Sequence, residues 1–126
     1  MKKLASIDIG LKRIGVAICL ASDIVTPQNA ILRKNRNQAS ADVDKFLKDW
    51  EIDILVVGLP KSNEEMQRRI AHFVKLLTFD KEIVFQNEDM SSVEAVDLMK
   101  GDIKYKRDGR IDSLAAKIIL ERYLLL

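Results

Sequence analysis

Hydrophobic spacing divides the chain into two regimes. Up to about residue 32 the apolar residues come in short runs; beyond that they recur every three or four positions. Leu4-Ala5-Ser6-Ile7-Asp8-Ile9 and Ile14-Gly15-Val16-Ala17-Ile18-Cys19-Leu20 read as two strands. The tight connection Gly10-Leu11-Lys12-Arg13 between them predicts an antiparallel hairpin. Thr26-Pro27 interrupts the pattern, leaving Ala30-Ile31-Leu32 as a third, edge strand. Val43, Phe46, Leu47 and Trp50 then repeat with helical period and predict a helix over residues 39–50. Asp53–Val57 reads as a short buried strand ended by Gly58-Leu59-Pro60. Ser62 and Glu65 fit a capping box ahead of a helix whose stripe is Met66, Ile70, Phe73, Val74 and Leu77. Glu82–Gln86 is a fifth strand. Ser91 and Glu94 open a short helix that stops near Gly101, and a basic loop leads to a last helix from about Arg110.

The order β-β-β-α-β-α-β-α-α is a meander followed by alternating units that add parallel strands. It predicts a single α/β domain over residues 1–126, a five-stranded mixed sheet flanked by helices. Ribonuclease H-like folds belong to that class, although element order alone does not single them out.

Composition narrows the setting. With 126 residues, 48% of them apolar and 32% charged, the chain suits one ordinary globular domain. It contains no apolar run of about eighteen residues, so no membrane helix is expected. Met1-Lys2-Lys3 leads straight into a strand carrying an aspartate, unlike the apolar region of a signal peptide. Cys19 is the only cysteine, which excludes an internal disulfide and a cysteine-based zinc site; within its apolar run it reads as a small core residue. A cytoplasmic protein without membrane contact follows. The net charge of +2 is too small to indicate nucleic acid, but the basic residues cluster at Lys12-Arg13, Arg33-Lys34-Asn35-Arg36, Arg68-Arg69 and from Lys104 to Arg110.

The candidate chemistry lies in three acids. Asp8 stands inside the first strand, between Ile7 and Ile9, and shares a face with Leu4 and Ser6. Aspartate is disfavoured in strands and costly to bury unpaired, so it calls for a partner or a metal. Glu88 directly follows the fifth strand, where an acid also suits the start of a helix. Asp112 lies off the polar row Ser113-Lys117-Glu121 of the last helix; its own row continues through Ala116, Ile119 and Tyr123 and faces the protein. Ala115 and Ala116 allow that helix to approach a sheet closely. With the first strand central and the fifth parallel to it nearby, the three acids meet at one sheet edge. Such a cluster requires a cation, and oxygen ligands select hard ions, magnesium or manganese. The chemistry these sites support is phosphodiester hydrolysis.

Four blocks in order carry a resemblance: Ser6 to Ala17, Val56 to Pro60, Glu88 to Ala95, and Asp112 to Ala116. Together they closely resemble the YqgF family, whose members are also called RuvX, over nearly the whole chain. The resemblance implies a ribonuclease H-like fold and an acidic metal site of Asp8, Glu88 and Asp112. It also implies nuclease activity in maturing the 5′ end of pre-16S ribosomal RNA, within or beside ribosomal precursor particles, with Holliday junction resolution on branched DNA as the older proposal. Where the family usually reads Asp-Glu-Arg, this chain has Asn87-Glu88-Asp89, and its segment after Pro60 is shorter. In that setting Lys12 and Arg13 are candidates to hold phosphates beside the metal, and Lys104, Lys106, Arg107 and Arg110 to grip the flanking strand. His72 falls on the exposed side of its helix and reads as a surface residue. RNA trimming suits a monomer, whereas junction resolution would favour a homodimer.

Two rival functions also fit the sequence. Asp8-Ile9-Gly10 through Gly15 also resembles the first phosphate loop of actin-like and sugar-kinase ATPases, but those need a second such domain, for which the chain is too short. A non-catalytic RNA-binding module in ribosome assembly is the other.

Overall fold

The computed structural model describes residues 2–21, 24–87 and 110–124. They form β1 (Leu4–Ile9), β2 (Arg13–Ala21), β3 (Ile24–Leu32), α1 (Arg36–Asp49), β4 (Ile54–Leu59), α2 (Glu64–Lys75), β5 (Glu82–Asn87) and α3 (Arg110–Leu124). The five strands make one sheet in the order β3-β2-β1-β4-β5. The first three are antiparallel neighbours, while β4 runs parallel to both β1 and β5. The mixed five-stranded sheet anticipated from the element order is therefore present.

Its position in the middle explains the composition of β1. All six residues of that strand are buried, so neither face can be a run of solvated polar side chains. Side chains alternate across the sheet and sort into two cores. Ala5, Ile7 and Ile9 join Ile14, Val16, Ile18, Leu55 and Val57 on one face, beneath Val43 and Leu47 of α1 and Ile70 and Phe73 of α2. Leu4 joins Ala17, Cys19, Ile54 and Val56 on the other, beneath Ala116, Ile119 and Leu120 of α3. Cys19 is a buried core residue, as its apolar run suggested. Fully burying each Val, Leu, Ile or Phe side chain in these cores stabilises the fold by roughly 1.5–3 kcal/mol. No helix among the described residues is long and apolar enough to cross a membrane.

Four boundaries differ from the sequence reading. Strand β4 continues through Gly58 and Leu59, the residues expected to end it. The third strand does not begin at Ala30; it runs through Thr26 and Pro27, which pair with Ile18 and Ala17. As the outermost strand it can hold a residue without an N–H. Helix α1 starts at Arg36 because Asn35 caps it: the Asn35 side chain accepts from the Gln38 N–H, and the Gln38 side chain accepts from the Asn35 N–H. That polar first turn precedes the apolar stripe, so periodicity could not register it. In α2 the cap is Asn63 and not Ser62, its carbonyl oxygen accepting from the Met66 N–H at 3.0 Å. The short helix expected from Ser91 to Gly101 lies outside the described residues.

The two cap assignments separate cleanly by mutation. Asn63→Ala is expected to lower unfolding stability by about 1 kcal/mol. Ser62→Ala should stay within about 0.5 kcal/mol of the parent. Urea denaturation of both variants checks this, and an equal loss in the two would contradict the observed cap.

Candidate active site at the C-terminal edge of the sheet

Strands β1, β4 and β5 run in the same direction, so their C-terminal ends share one edge of the sheet. Asp8 stands one residue before the end of β1 and is only 8% exposed. It alternates with Ser6 and Leu4 and so faces α3. Its cross-strand neighbour is Gly15, and directly opposed residues of an antiparallel pair lie on the same face. The carboxylate is thus flanked on that side by a position with no side chain.

What fixes α3 above this strand is a pair of hydroxyls. Ser6 Oγ, fully buried, donates to the Ala116 carbonyl oxygen at 2.5 Å. Only a small side chain lets a helix backbone come so near a sheet, and Ala116, fully buried in the core between α3 and the strands, provides it. The second hydroxyl, Ser113 Oγ, donates to the Gln28 carbonyl oxygen of β3. Gln28 is in register with Val16, and Val16 with Ile7, which puts the first turns of α3 level with the end of β1. Ser113 is therefore buried, and the expected polar row on α3 is a solvent row only in part: Lys117 and Glu121 form a half-buried ion pair.

The Asp112 row does face the sheet at its described members, since Ala116 and Ile119 lie in the core and Tyr123 packs against it. Asp112 itself is four residues, about one turn, ahead of Ala116 on the helix. The side chains of Arg110 and Asp112 are outside the described set. So are Glu88, Lys104, Lys106 and Arg107; Glu88 is the residue after Asn87, with which β5 ends in register with Leu59. Among the described residues no three acidic, histidine or cysteine side chains come together to hold a metal.

Next to Asp8, the β1–β2 turn is tightly constrained. The Gly10 N–H donates to the Arg13 carbonyl at 2.9 Å. A Cβ at Gly10 would sit 2.7 Å from that same oxygen, so the turn requires glycine. Arg33 braces the turn from β3's end: its N–H donates to the Lys12 carbonyl at 2.9 Å, and its guanidinium donates to the Gly10 carbonyl at 2.7 Å. The same guanidinium lies 5.2 Å above the Phe73 ring. Burial, and then the charge of Arg36, push the Arg33 pKa below its ordinary value. Lys12 projects from the turn into solvent, and Arg13 is half-buried beside it. His72 is exposed, as expected, with its Nε2 3.0 Å from Arg36 Nη1.

Sequence reasoning missed the Ser6 and Ser113 anchors and the brace from Arg33. One signal for Ser6 was present, a polar residue on the same buried face as Asp8.

Comparison with known proteins agrees with this architecture. Residues 2–125 match the family model described as "RuvX: Holliday junction resolvase". The chain belongs to the RuvX family. A relative from Sulfurovum is 64% identical over 97% of this chain and 98% of its own length, and is named as a candidate pre-16S rRNA nuclease. Another so named, from Sulfurimonas denitrificans, is 55% identical over 97% of this chain and 96% of its own. Among solved structures, the fowlpox virus resolvase in complex with Holliday junction DNA superposes with a TM-score of 0.60 at 14% identity, covering 98% of this chain and 97% of that one. Thermus thermophilus RuvC gives 0.52 at 11% identity, covering 97% and 94%. The RuvX chain thus has the ribonuclease H-like fold that the resemblance implied.

Replacing Ser6 by Ala removes a buried donor and leaves the Ala116 carbonyl with its helical bond. Stability should fall by about 0.5–1.5 kcal/mol. Chemical denaturation measures it, and an unchanged midpoint would show that the hydroxyl does not hold the helix.

Proposed function

We propose that this RuvX chain is a divalent-metal-dependent endonuclease that matures the 5′ end of pre-16S ribosomal RNA. The observation that carries the proposal is Asp8: a nearly closed-off carboxylate on the central strand, at the edge where β5 ends one residue before Glu88 and α3 begins two residues before Asp112. The names of the relatives support RNA as the substrate.

The donor set fits a hard cation. Asp8, Glu88 and Asp112 offer oxygens alone, which favours magnesium or manganese over softer metals. When bound, such an ion lowers the pKa of water and stabilises the leaving oxygen of a phosphodiester. The protein's own part is positional. Asp8 pairs with Gly15 and directly follows Ile7, which is paired on both sides, so its backbone is restrained when charge accumulates nearby. Asp112 belongs to a helix whose height above the sheet is set by the Ser6 bond. Lys12 and Arg13, on the braced turn, hold the phosphate next to the cut; Lys104, Lys106, Arg107 and Arg110 hold the flanking strand. Cytoplasmic precursor particles are the setting this substrate implies.

The family's description as a Holliday junction resolvase favours a second reading, cleavage of branched DNA. That reaction needs two active sites in a symmetric pair, whereas trimming one RNA strand needs one protomer.

Incubation with a labelled pre-16S fragment distinguishes these. Cutting at the 5′ side of the mature sequence is expected with manganese or magnesium and should stop on chelation. Asp8→Asn and Asp112→Asn should each slow it about a hundredfold or more, the scale of losing one electrostatic contact in a transition state. Both variants should still bind the RNA. Equal rates in variant and parent would refute the assigned site, and cutting of a four-way junction but not the RNA would favour the second reading.

A further inference from the structure

The sheet face opposite Asp8 carries a second basic feature. A cleft of about 550 Å³ opens beside the end of β1, lined by Ile9, Leu11 and Met66 and by Arg33, Arg36, Arg68 and Arg69. Glu65 and His72 complete its wall. Four guanidiniums in one concavity are costly to assemble without anions, and the single acid among the lining residues does not balance them. Glu65 pairs with Arg69 at 3.0 Å. Among the described residues no carboxylate lies within salt-bridge distance of Arg33, Arg36 or Arg68. Arg33 is held by the Gly10 carbonyl and Phe73, and Arg36 by His72.

The cleft also has a definite relation to the candidate active site. Asp8 and Ile9 are consecutive and project from opposite faces of β1, so the carboxylate and the cleft meet across the strand's end. Leu11, 66% exposed at the mouth, adds an apolar surface. We infer that this arginine cleft is a second nucleic-acid subsite, which holds backbone phosphates of a single strand a few nucleotides from the bond cut at Asp8. Guanidiniums suit this role because their planar forks match phosphate oxygens in pairs. Arg33 does two things at once there: it lines the phosphate cleft and braces the turn beside Asp8, so strand binding and the geometry of the cutting edge share a side chain. The inference rests on the proposed nuclease function for the identity of the strand; the charge argument does not depend on it.

Fluorescence anisotropy with a labelled single-stranded RNA from the 5′ leader, in EDTA so that no cutting occurs, tests it on the full chain. Arg36→Gln with Arg68→Gln should weaken binding about tenfold at moderate salt. Loss of two phosphate contacts should also flatten the slope of log K against log salt by about 1.4, at roughly 0.7 per single-strand contact. Arg68→Gln alone, at a residue with no salt-bridge partner among the described residues, should flatten it by about 0.7. Lys45→Gln with Lys48→Gln removes the same charge at the other end of α1 and should leave both quantities unchanged. Parent-like affinity and slope in the arginine variants would overturn the subsite. So would an equal loss in the lysine variant, or equally tight binding of a blunt duplex. Cleavage with manganese is followed in parallel. A parent chain that binds through the arginines but never cuts refutes the nuclease reading while supporting the cleft; one that cuts normally with no arginine dependence refutes the cleft alone.

Discussion

The hydroxyl of Ser6 is a small group on which a large part of this molecule depends. The central strand is buried on both faces, so a polar residue within it must find a partner or destabilise the sheet. Ser6 finds the Ala116 carbonyl, and this sets both the height and the register of α3 above β1. The helix can come that near only because Ala116 presents almost no bulk to the strands. A larger residue at Ala116 would lift it and move the start of α3 relative to the sheet edge. Ser113, bonded to Gln28, pins the same helix at a second point over β3.

From that constraint the rest of the edge follows. One face of β1 is wholly apolar and packs under α1 and α2; the other carries Leu4, Ser6 and Asp8 in succession beneath α3. The polarity of that second face increases toward the C-terminal end, where Gly15 leaves space beside the carboxylate. The turn that follows is equally determined, closed by Gly10 and braced by Arg33. Under the proposed function, a rigid turn and a fixed helix on either side of one buried acid would make a preorganised site, in which little must move for charge to be met.

Much of this was legible in the sequence because period-2 and period-3.6 patterns record which face is buried. The two hairpin strands, the α1 and α2 stripes and the central parallel pair follow from that spacing, and Asp8 stood out as an acid inside a strand. What was not legible came from polar partners. Asn35 caps α1 ahead of its stripe, and Asn63 displaces Ser62 as the cap of α2, because capping depends on backbone geometry that a run of small polar residues does not reveal. Pro27 hid the first part of β3, leaving only Ala30 to Leu32 legible, since its tolerance depends on that strand being outermost. The bonds of Ser6 and Arg33 join residues far apart in the chain, and no local pattern encodes them. Asp8 was found by its own strand, whereas Glu88 rests on the family resemblance, and Asp112 on its helical row together with that resemblance.

The central claim is that Asp8, Glu88 and Asp112 share one cation at the end of β1. A crystal structure of the chain grown with manganese, located by its anomalous scattering, tests it directly. The account predicts an ion bonded to oxygens of all three carboxylates at about 2.0–2.2 Å, the range of small hard divalent ions. An ion bound elsewhere without Asp8, or an Asp112 carboxylate turned away from Asp8, would contradict it.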